Sequence, residues 1–477
     1  MDQMSLLDAS FLYMENDTTP MHIGGVAVFE GPPASHDELI TRFAAKMPLV
    51  PRYRQKVQFL PLDIGRPAWV DDPHFNLEYH LRRTAVPAPG GRAELDNLVA
   101  RVMSQHLDRA RPLWEVWVVE GLEDDQWAIV SKVHHCMVDG VAATDLMSVL
   151  FDLEQDPAPL PAAPPWRPRP APTPLDVLGG TLSGVVSPAD RVWKLLGSLR
   201  DPRGFAGSGV ETIRAFAGMA PHLVPPKDAT SLNGAYGPHR RWTSAHSSLA
   251  DIKAIRAALG GTINDVVLTA ITRGFRDVLI GRGENTPSRT IRTMVPVSVR
   301  AEHEKGAYNN KVSSVFADLP VGLDDPAARL AAIRASMDGI KKSKGAVAGA
   351  RLAELGDFAP PMLLAAGQRR AATMAQTSFH TVTTNVPGPQ RPLYFAGRVL
   401  LQSAPIIPLG ASIRTAIGIF SYNGGVHFGI TGDYDTVPDI DVLARGIEAG
   451  VAELLEIARA AGAAADSASV PAKGVRA

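Results

Sequence analysis

The chain has 477 residues, of which 45% are hydrophobic and 20% are charged. This composition is typical of a folded globular protein with a large core, and it excludes disordered, collagen-like and disulfide-stapled chains. Lysine and arginine number 48 together and aspartate and glutamate 49, which gives a formal net charge of -1. Because no overall basic excess is available to neutralise phosphates, we expect no dedicated nucleic-acid binding.

Cys136 is the single cysteine of the sequence. It can form neither an intramolecular disulfide nor a cysteine-rich zinc site, as is usual in a reducing compartment such as the cytosol. The opening residues, MDQMSLLDAS, lack the basic segment and long apolar core of a signal peptide. No stretch approaches the ~18 uninterrupted apolar residues of a membrane-spanning helix, so we expect contact with lipid only from the surface.

Composition divides the chain into four parts. Nine prolines lie among alanines and arginines between residues 156 and 174, a composition typical of an extended linker. The residues from Ala461 onward are mostly alanine, glycine and serine and are expected to form a disordered tail. The predicted parts are a first domain over 1–155, a linker with bridging helices over 156–225, a second domain over 226–460 and a tail over 461–477.

The first part mixes strands and helices. Residues 21–29, 113–119 and 127–133 have the apolar composition of strands, and residues 98–106 have helical spacing. After the proline-rich stretch, two short segments carry apolar side chains at helical spacing, at 190–199 and 210–219. We interpret them as a helical bridge packed on both domains, with contact to a lipid surface as the open alternative.

A second alternation of strands and helices begins near residue 240. Thr262 and Asp265 have the spacing of a capping box, which predicts a helix that begins there and carries a buried apolar stripe. Residues 292–299 and 313–319 alternate as strands do.

The end of the second alternation carries a strong hairpin signal. Asn423 and Gly424 separate the apolar segments 412–422 and 426–431, as in a two-residue hairpin turn. A last helix is predicted over 440–458. The fold class is therefore α/β (α+β), and two halves of similar class suggest paired domains with a cleft between them.

The most informative string is SKVHHCMVDG, residues 131–140. An apolar strand ends in His134 and His135, then Asp139 and Gly140 supply a turn before a predicted helix. The histidines therefore lie at a strand-to-loop junction, where α/β sheets usually bind ligands. Because successive side chains on a strand point to opposite faces, one histidine can face a given substrate and the other must pack.

This arrangement suits proton transfer. A neutral histidine with a pKa near ~6.5 can take a proton from a hydroxyl or an amine around pH 7. Asp139 can orient that ring or pair with an arginine to fix the loop, and spacing alone does not decide between the two. The alternative is a pair of histidines whose hydrogen bonds are satisfied inside a sheet edge.

Other chemistries have less support in the sequence. A metal site is the rival, but the HExxH spacing and zinc-like pairs of cysteine or histidine are absent from the sequence, so we expect no metal. The sequence also has no P-loop, no serine-hydrolase elbow and no dinucleotide-binding turn.

The HHxxxDG pattern resembles the signature of the CoA-dependent acyltransferase superfamily, which includes chloramphenicol acetyltransferase and the condensation domains of peptide synthetases. Further motifs resemble the bacterial wax ester synthase/diacylglycerol acyltransferase family and extend over nearly the whole chain. They are LDASF at 7–11, PMHIGG at 20–25, RPLWE at 111–115, TINDVVL at 262–268 and TNVPGP at 384–389. HHxxxDG alone is moderately specific, whereas these motifs in this order are highly specific.

The resemblance implies two chloramphenicol-acetyltransferase-like sandwich domains with a substrate tunnel between them. His135 would be the general base that deprotonates the acceptor hydroxyl. His134 would pack beside it, and Asp139 would hold the loop through an ion pair. The arginine partner of Asp139 stays open, with Arg52 and Arg54 as weak candidates.

The candidate substrate-binding residues are Asn264, Asp265 and Gly140. Asn264 lies near a predicted helix N-terminus, where amide donors and the positive end of the dipole can serve an oxyanion or the CoA chain. For Asn264 and Asp265 the alternative role is helix capping or packing. Residues 112–114 are expected to pack in the core, and residues 385–389 to make a tight turn.

The activity implied by the resemblance is transfer of a long-chain acyl group from acyl-CoA to diacylglycerol, giving triacylglycerol, with fatty alcohols and wax esters second. A direct attack needs a base, proximity and stabilisation of the oxyanion, so we expect no resident cofactor, with acyl-CoA as co-substrate. We expect a cytoplasmic enzyme associated peripherally with a membrane or lipid droplets. The alternatives are a carrier-protein-dependent condensation-type or polyketide-tailoring acyltransferase and a non-catalytic lipid-binding homologue.

Overall fold

The structure, a computed structural model, describes residues 2–59, 66–137, 149–158, 165–170, 230–284, 286–298, 312–342, 378–410 and 412–469. Three predicted features lie outside the described residues. They are the turn at Asp139 and Gly140, the two bridging helices at 190–199 and 210–219, and most of the linker.

Strands occur in both halves of the described chain. They are β1 (Asp2–Gln3), β2 (His22–Glu30), β3 (Gln55–Gln58), β4 (Ala68–Asp71), β5 (Leu81–Ala85), β6 (Trp114–Leu122), β7 (Gln126–His134), β8 (Arg240–Ser248), β9 (Ile291–Ser298), β10 (Val312–Leu319), β11 (Thr381–Pro387), β12 (Tyr394–Phe395), β13 (Arg398–Ile406), β14 (Thr415–Tyr422) and β15 (Gly425–Asp433).

Helices alternate with these strands. They are α1 (Leu6–Met14), α2 (His36–Lys46), α3 (Leu77–His80), α4 (Arg92–Ser104), α5 (Leu249–Leu259), α6 (Ile263–Gly281), α7 (Pro326–Lys342) and α8 (Ile440–Ser469). Short 3-10 turns are formed by Met47–Leu49, Pro51–Arg54 and His135–Met137.

The strands form two large mixed sheets, which confirms the α/β (α+β) class. The first sheet has the order β12-β13-β2-β7-β6-β5 and the second has the order β10-β9-β11-β14-β15-β8. In the first sheet β5 is parallel to β6, and in the second β11 is parallel to both β9 and β14. A small third sheet consists of β1, β4 and β3.

The two large sheets are not two consecutive stretches of chain. β12 and β13 come from the segment predicted for the second domain, yet they complete the first sheet, where β13 pairs antiparallel with β2. Residues 394–406 therefore belong to the first sheet, which differs from the predicted boundaries. An apolar strand carries no local mark of the sheet that it joins, because pairing is decided by neighbours distant in sequence.

Helix α4 lies between the two sheets. Leu95, Leu98, Val99 and Val102 recur at helical spacing on one buried face of the helix, and they belong to the same apolar cluster as Trp242 of β8. The observed helix differs in its bounds from the one predicted over 98–106: α4 begins at Arg92 and ends at Ser104. Because α4 contacts both β8 and the first sheet, it joins the halves of the molecule.

The hairpin prediction is confirmed. β14 and β15 pair antiparallel, with Tyr422 opposite Gly425. Asn423 and Gly424 have φ angles of 43° and 83°, the positive values that a type I′ turn requires at both central positions.

The last helix is longer than predicted. It begins at Ile440, as expected, but continues to Ser469 instead of ending at Ala458. The prediction of a disordered tail from Ala461 is therefore wrong for residues 461–469, while residues 470–477 lie outside the described part. Alanine has the highest helix propensity, so an alanine-rich segment can extend a helix even where it buries little.

Among the described residues, no single helix has both the length and the apolar composition of a membrane span. Helices α5 and α6 reach that level only as a pair bent by 103°.

Glycines bring α6 and α8 into close contact. A Cβ atom added at Gly446 of α8 would lie 2.6 Å from the Cα atom of Gly274 in α6, and one added at Gly274 would lie 2.6 Å from the carbonyl oxygen of Leu443. Both obstacles are backbone atoms, which cannot move aside as a flexible side chain can. The short distance between the two helices therefore requires glycine at these positions.

We predict that Gly446→Ala destabilises the protein although alanine is the better helix former. Overpacking typically costs about 1–3 kcal/mol, and the gain in helix propensity offsets at most about 1 kcal/mol of it. Gly462→Ala, in the same helix, is the matched control: nothing lies within 4 Å of an added Cβ there, so only the propensity gain should appear. Urea unfolding midpoints measure both, and equal stabilisation by the two substitutions would contradict the close approach.

Candidate active site

His134 and His135 lie where β7 ends and a 3-10 turn begins, as predicted. The backbone N–H of His134 donates to the carbonyl oxygen of Leu113 at 2.9 Å, and that of His135 donates to the carbonyl oxygen of Met21 at 2.8 Å. These two bonds tie the motif to the segments that precede β6 and β2. The polypeptide backbone of the motif is therefore held from both sides.

The ring of His135 is packed against an aromatic neighbour. It is half-buried and stacks on Phe11 of α1, with ring centroids 3.8 Å apart and an interplanar angle of 14°. Its Nδ1 atom is buried and has no ordinary hydrogen-bond partner among the described residues. The accessible part of the ring therefore lies away from Nδ1.

The surroundings keep the His135 ring neutral. Burial is the main cause and lowers its pKa to about 4, a contact with its own backbone acts in the opposite direction, and nearby His134 lowers it further. An imidazole with this pKa is unprotonated at pH 7 and can accept a proton. The ordinary histidine pKa near ~6.5 that was expected from the sequence therefore does not apply to His135.

His134 lies in a different environment. It is 1% exposed, and its Nε2 atom lies 3.5 Å from Oε1 of Glu15. The Glu15 side chain, 5% exposed, also has Nε2 of His22 at 3.4 Å and Nη2 of Arg109 at 2.6 Å. Burial raises the pKa of Glu15, but its contacts with His134, His22 and Arg109 outweigh burial and hold the pKa well below the ordinary range.

Potential metal ligands occur in and beside this cluster. Glu15, His22 and His106 each place one potential ligand atom within 4.8 Å of the others. However, the guanidinium of Arg109 already contacts the same carboxylate, and its positive charge would repel a cation. The residues therefore fit an ion-paired carboxylate better than a metal centre, and the absence of a metal stays a prediction.

The proposed partners of Asp139 cannot be compared with it, because Asp139 and Gly140 lie outside the described residues. Arg52 pairs with Asp2 at 2.7 Å and lies over the ring of Trp69. Arg54 lies over the ring of Trp166, 4.0 Å from its centroid. Both candidate arginines thus have other partners, and the choice between them stays open.

The structure places Asn264 and Asp265 at the start of α6. Asp265 completes the predicted capping box: its Oδ2 accepts from the backbone N–H of Thr262 at 2.7 Å, and the hydroxyl of Thr262 accepts from the N–H of Asp265 at 3.2 Å. Nδ2 of Asn385 lies 3.5 Å from Oδ1 of Asn264. Capping thus accounts for one carboxylate oxygen of Asp265, and Asn264 lies beside the TNVPGP motif.

Residues 112–114 of the RPLWE motif form part of the core, as expected for packing residues. Leu113 and Trp114 are 0% and 1% exposed, and the indole N–H of Trp114 donates to the carbonyl oxygen of Tyr53 at 2.8 Å. Leu113 also provides the carbonyl oxygen that holds His134. The motif therefore supports the site through the backbone.

Sequence reasoning missed three residues of the site. Phe11 is the last residue of LDASF, a motif that had no assigned role, and Glu15 follows it four residues later. Lys132, which is 0% exposed, donates to the carbonyl oxygen of Val102 at 2.9 Å and to that of Gln105, so it joins β7 to the end of α4. A lysine inside an apolar strand is a signal that could have identified this contact; burial lowers its pKa to about 8.

A cavity of about 250 Å³ lies where the two halves meet. Its walls include Arg92 and Asp96 of α4, Trp242 of β8 and Gln402 of β13, and His135 is not among its lining residues. This cavity is therefore separate from the histidine site, and the substrate tunnel stays a prediction.

Solved structures of low sequence identity define the fold. The first condensation domain of the calcium-dependent antibiotic synthetase aligns with 96% of this chain and 96% of that chain, with a TM-score of 0.55 and 16% identity. The trichothecene 15-O-acetyltransferase TRI3 of Fusarium sporotrichioides aligns with 95% of this chain and 93% of that chain, with a TM-score of 0.58 and 12% identity. At these identities the similarity shows the fold alone, which is the two-domain fold of condensation domains and acyltransferases.

Sequence comparison then identifies the family. Residues 4–267 match the wax ester synthase/diacylglycerol acyltransferase catalytic domain, and residues 308–455 match the C-terminal domain of the same family. A Mycobacterium tuberculosis relative named probable diacylglycerol O-acyltransferase tgs1 is 36% identical over 461 residues, which are 96% of this chain and 97% of the relative. The solved wax ester synthase/diacylglycerol acyltransferase from Marinobacter aquaeolei VT8 is 28% identical, with a TM-score of 0.67 over 96% of this chain and 99% of that chain. The chain belongs to the wax ester synthase/diacylglycerol acyltransferase family, which confirms the resemblance drawn from its motifs.

We predict that His135 titrates near pH 4 in the folded protein, because burial disfavours the imidazolium. NMR of ¹⁵N-histidine-labelled protein gives the midpoint, with the signal assigned by its loss in His135→Ala. In Phe11→Ala, water gains access to the ring, so the midpoint should rise toward ~6.5.

The fold must be checked at each pH. Unfolded histidine binds its proton at higher pH than folded His135 does, so acid favours unfolding increasingly as the pH falls from ~6.5 toward 4. Circular dichroism on the same samples identifies the range in which the protein stays folded. A midpoint near 6.5 in the folded wild type would show that the ring is not desolvated.

Proposed function

We propose that this chain transfers a long-chain acyl group from acyl-CoA to the hydroxyl group of diacylglycerol, giving triacylglycerol and free CoA. Fatty alcohols are the second class of acceptor and would give wax esters. The observation that carries the proposal is the neutral ring of His135, half-buried at a strand end, in a chain of this family. The names of the relatives support diacylglycerol as the acceptor.

The chemistry assigned to His135 is general-base catalysis. Because Nδ1 is buried, Nε2 is the atom proposed to take the proton from the acceptor hydroxyl. The hydroxyl oxygen then attacks the thioester carbonyl carbon, the new C–O bond forms, and the C–S bond breaks. The imidazolium returns its proton to the CoA sulfur, which restores the neutral ring.

Direct attack of this kind forms a tetrahedral oxyanion that has to be stabilised. We assign this role to Asn264, which lies at the N-terminus of the long helix α6 with its side chain beside Asn385. For Asp265 we retain the predicted role in substrate binding, in addition to its role in capping α6. Asp139 and Gly140 keep the roles that the family motif implies, an ion pair that holds the loop and a turn at the substrate.

The proposed reaction uses acyl-CoA as a co-substrate and needs no resident cofactor. Purified protein is incubated with palmitoyl-CoA and either diacylglycerol or hexadecanol, in buffer with EDTA and without any carrier protein. Thiol release and separation of the lipid products show which acceptor is used. We expect triacylglycerol as the main product, and a wild-type protein that makes neither product under these conditions would refute the proposal.

We also propose that the enzyme works at the surface of a membrane or a lipid droplet within the cytoplasm, because diacylglycerol resides in lipid. Vesicles containing diacylglycerol are mixed with the protein and floated through a density gradient. We expect protein in the floating fraction with these vesicles, and protein that stays at the bottom with every vesicle composition would exclude stable association.

His135→Ala should lower the rate of acyl transfer by at least about a hundredfold, the lower range for loss of a general base. His36→Ala is the control, because His36 is exposed on α2 and far in sequence from the motif. Initial rates are compared for variants whose thermal unfolding matches the wild type. Unchanged turnover in folded His135→Ala would remove the assignment of the base.

A further inference from the structure

The tautomer of a neutral His134 ring follows from a backbone hydrogen bond. The N–H group of Cys136 donates to Nδ1 of His134 at 3.1 Å. A ring nitrogen that accepts a hydrogen bond carries no proton, so a neutral His134 must carry its proton on Nε2. Cys136 belongs to the 3-10 turn that begins with His135, so this bond also fixes the turn.

The carboxylate of Glu15 favours the same tautomer. Its Oε1 lies 3.5 Å from Nε2 of His134, a separation longer than an ordinary hydrogen bond, so the attraction is mainly electrostatic. Both side chains are at least 95% shielded from solvent, where a carboxylate acts on a nearby N–H dipole more strongly than in water. A proton on Nε2 is therefore stabilised by Glu15.

Glu15 also reaches His135 by a second route. Its Oε1 accepts from the backbone N–H of Met21 at 3.2 Å, and the carbonyl oxygen of Met21 accepts from the N–H of His135 at 2.8 Å. Arg109 holds the other oxygen of the carboxylate, with Nη2 at 2.6 Å and Nε at 3.1 Å. One carboxylate thus contacts both backbone and side-chain groups that hold the catalytic turn.

We propose that Glu15 is a positioning residue for His135: together with the N–H of Cys136 it holds the ring of His134 in its Nε2–H form, and His134 in turn holds the turn that carries the base. The inference rests on the proposed acyl transfer, in which His135 is the base. Glu15 contacts His134 and the backbone of Met21, so its effect on His135 passes through these two residues. Phe11, from the helix that Glu15 follows, supports the same base from its ring face.

A purely structural role makes a different prediction. Glu15 is the residue that follows α1, and its own N–H donates to the carbonyl oxygen of Phe11. If the side chain only stabilised this helix end, its replacement would lower the melting temperature and leave kcat of the folded protein unchanged. Positioning requires kcat to fall in folded variant protein, and the fall to depend on His134.

The test combines kinetics with a double-mutant cycle. Glu15→Gln keeps an oxygen for Met21 but removes the charge, and outer contacts of this kind typically change function by ~10–100-fold. We expect kcat to fall at least about tenfold while the KM values for acyl-CoA and diacylglycerol change little. Glu30→Gln, at an exposed end of β2, is the matched control and should keep full activity.

The cycle uses His134→Asn, which retains an acceptor for the N–H of Cys136 but cannot reach Glu15. In that background Glu15→Gln should reduce kcat by less than about twofold, because the two residues act in series. If Glu15→Gln instead lowers kcat by the same factor in the His134→Asn background as in the wild type, the proposal is overturned.

A direct measurement covers the case in which Glu15→Gln does not fold. Two-bond ¹H–¹⁵N correlation spectra of ¹⁵N-histidine-labelled wild type report the tautomer of each ring, and His134 is assigned by its loss in His134→Asn. We expect protonation on Nε2, and protonation on Nδ1 would overturn the proposal whether or not the enzyme is active. A wild type that shows the Nε2–H form but transfers no acyl group would instead refute the proposed function and leave the contact between Glu15 and His134 intact.

Discussion

The burial of His134 and the partial burial of His135 at the end of β7 are the constraint on which the site depends. β7 pairs with β2 on one side and β6 on the other, and the backbone groups of His134 and His135 bond to the segments that lead into those strands. Removing imidazoles from water disfavours their charged form. The neutral ring of His135 is therefore available as a base at neutral pH. The neighbouring His134 serves as its support.

The contacts around His134 and His135 explain why motifs that lie far apart in the sequence meet at one site. The LDASF helix provides the ring beneath His135 and ends next to Glu15. The segment PMHIGG provides Met21 and His22, and RPLWE provides the carbonyl oxygen that accepts from His134. Each of these motifs contacts the histidine turn with a different group, so together they fix its backbone, one ring face and one ring nitrogen.

The second half of the molecule helps to position the site through the packing of its helices and strands. β13 completes the first sheet, and α4 lies between that sheet and β8. Glycines in α6 and α8 let those helices approach closely, and Asn264 lies in the first turn of α6. The position of Asn264 relative to the first half therefore depends on contacts made by many residues outside the motifs.

The sequence by itself determined the local features: the strands around residues 113–133, the Asn423-Gly424 hairpin, the capping box at Thr262 and the histidines at a strand end. These depend on side-chain periodicity and turn chemistry, which act between near neighbours in the chain. Only the tertiary structure decided that β13 joins the first sheet, that Phe11 stacks on His135, and that Glu15 faces His134 beside Arg109. Such contacts join residues 94 or more positions apart, and they arise from the geometry of the packed sheets, which no local pattern encodes.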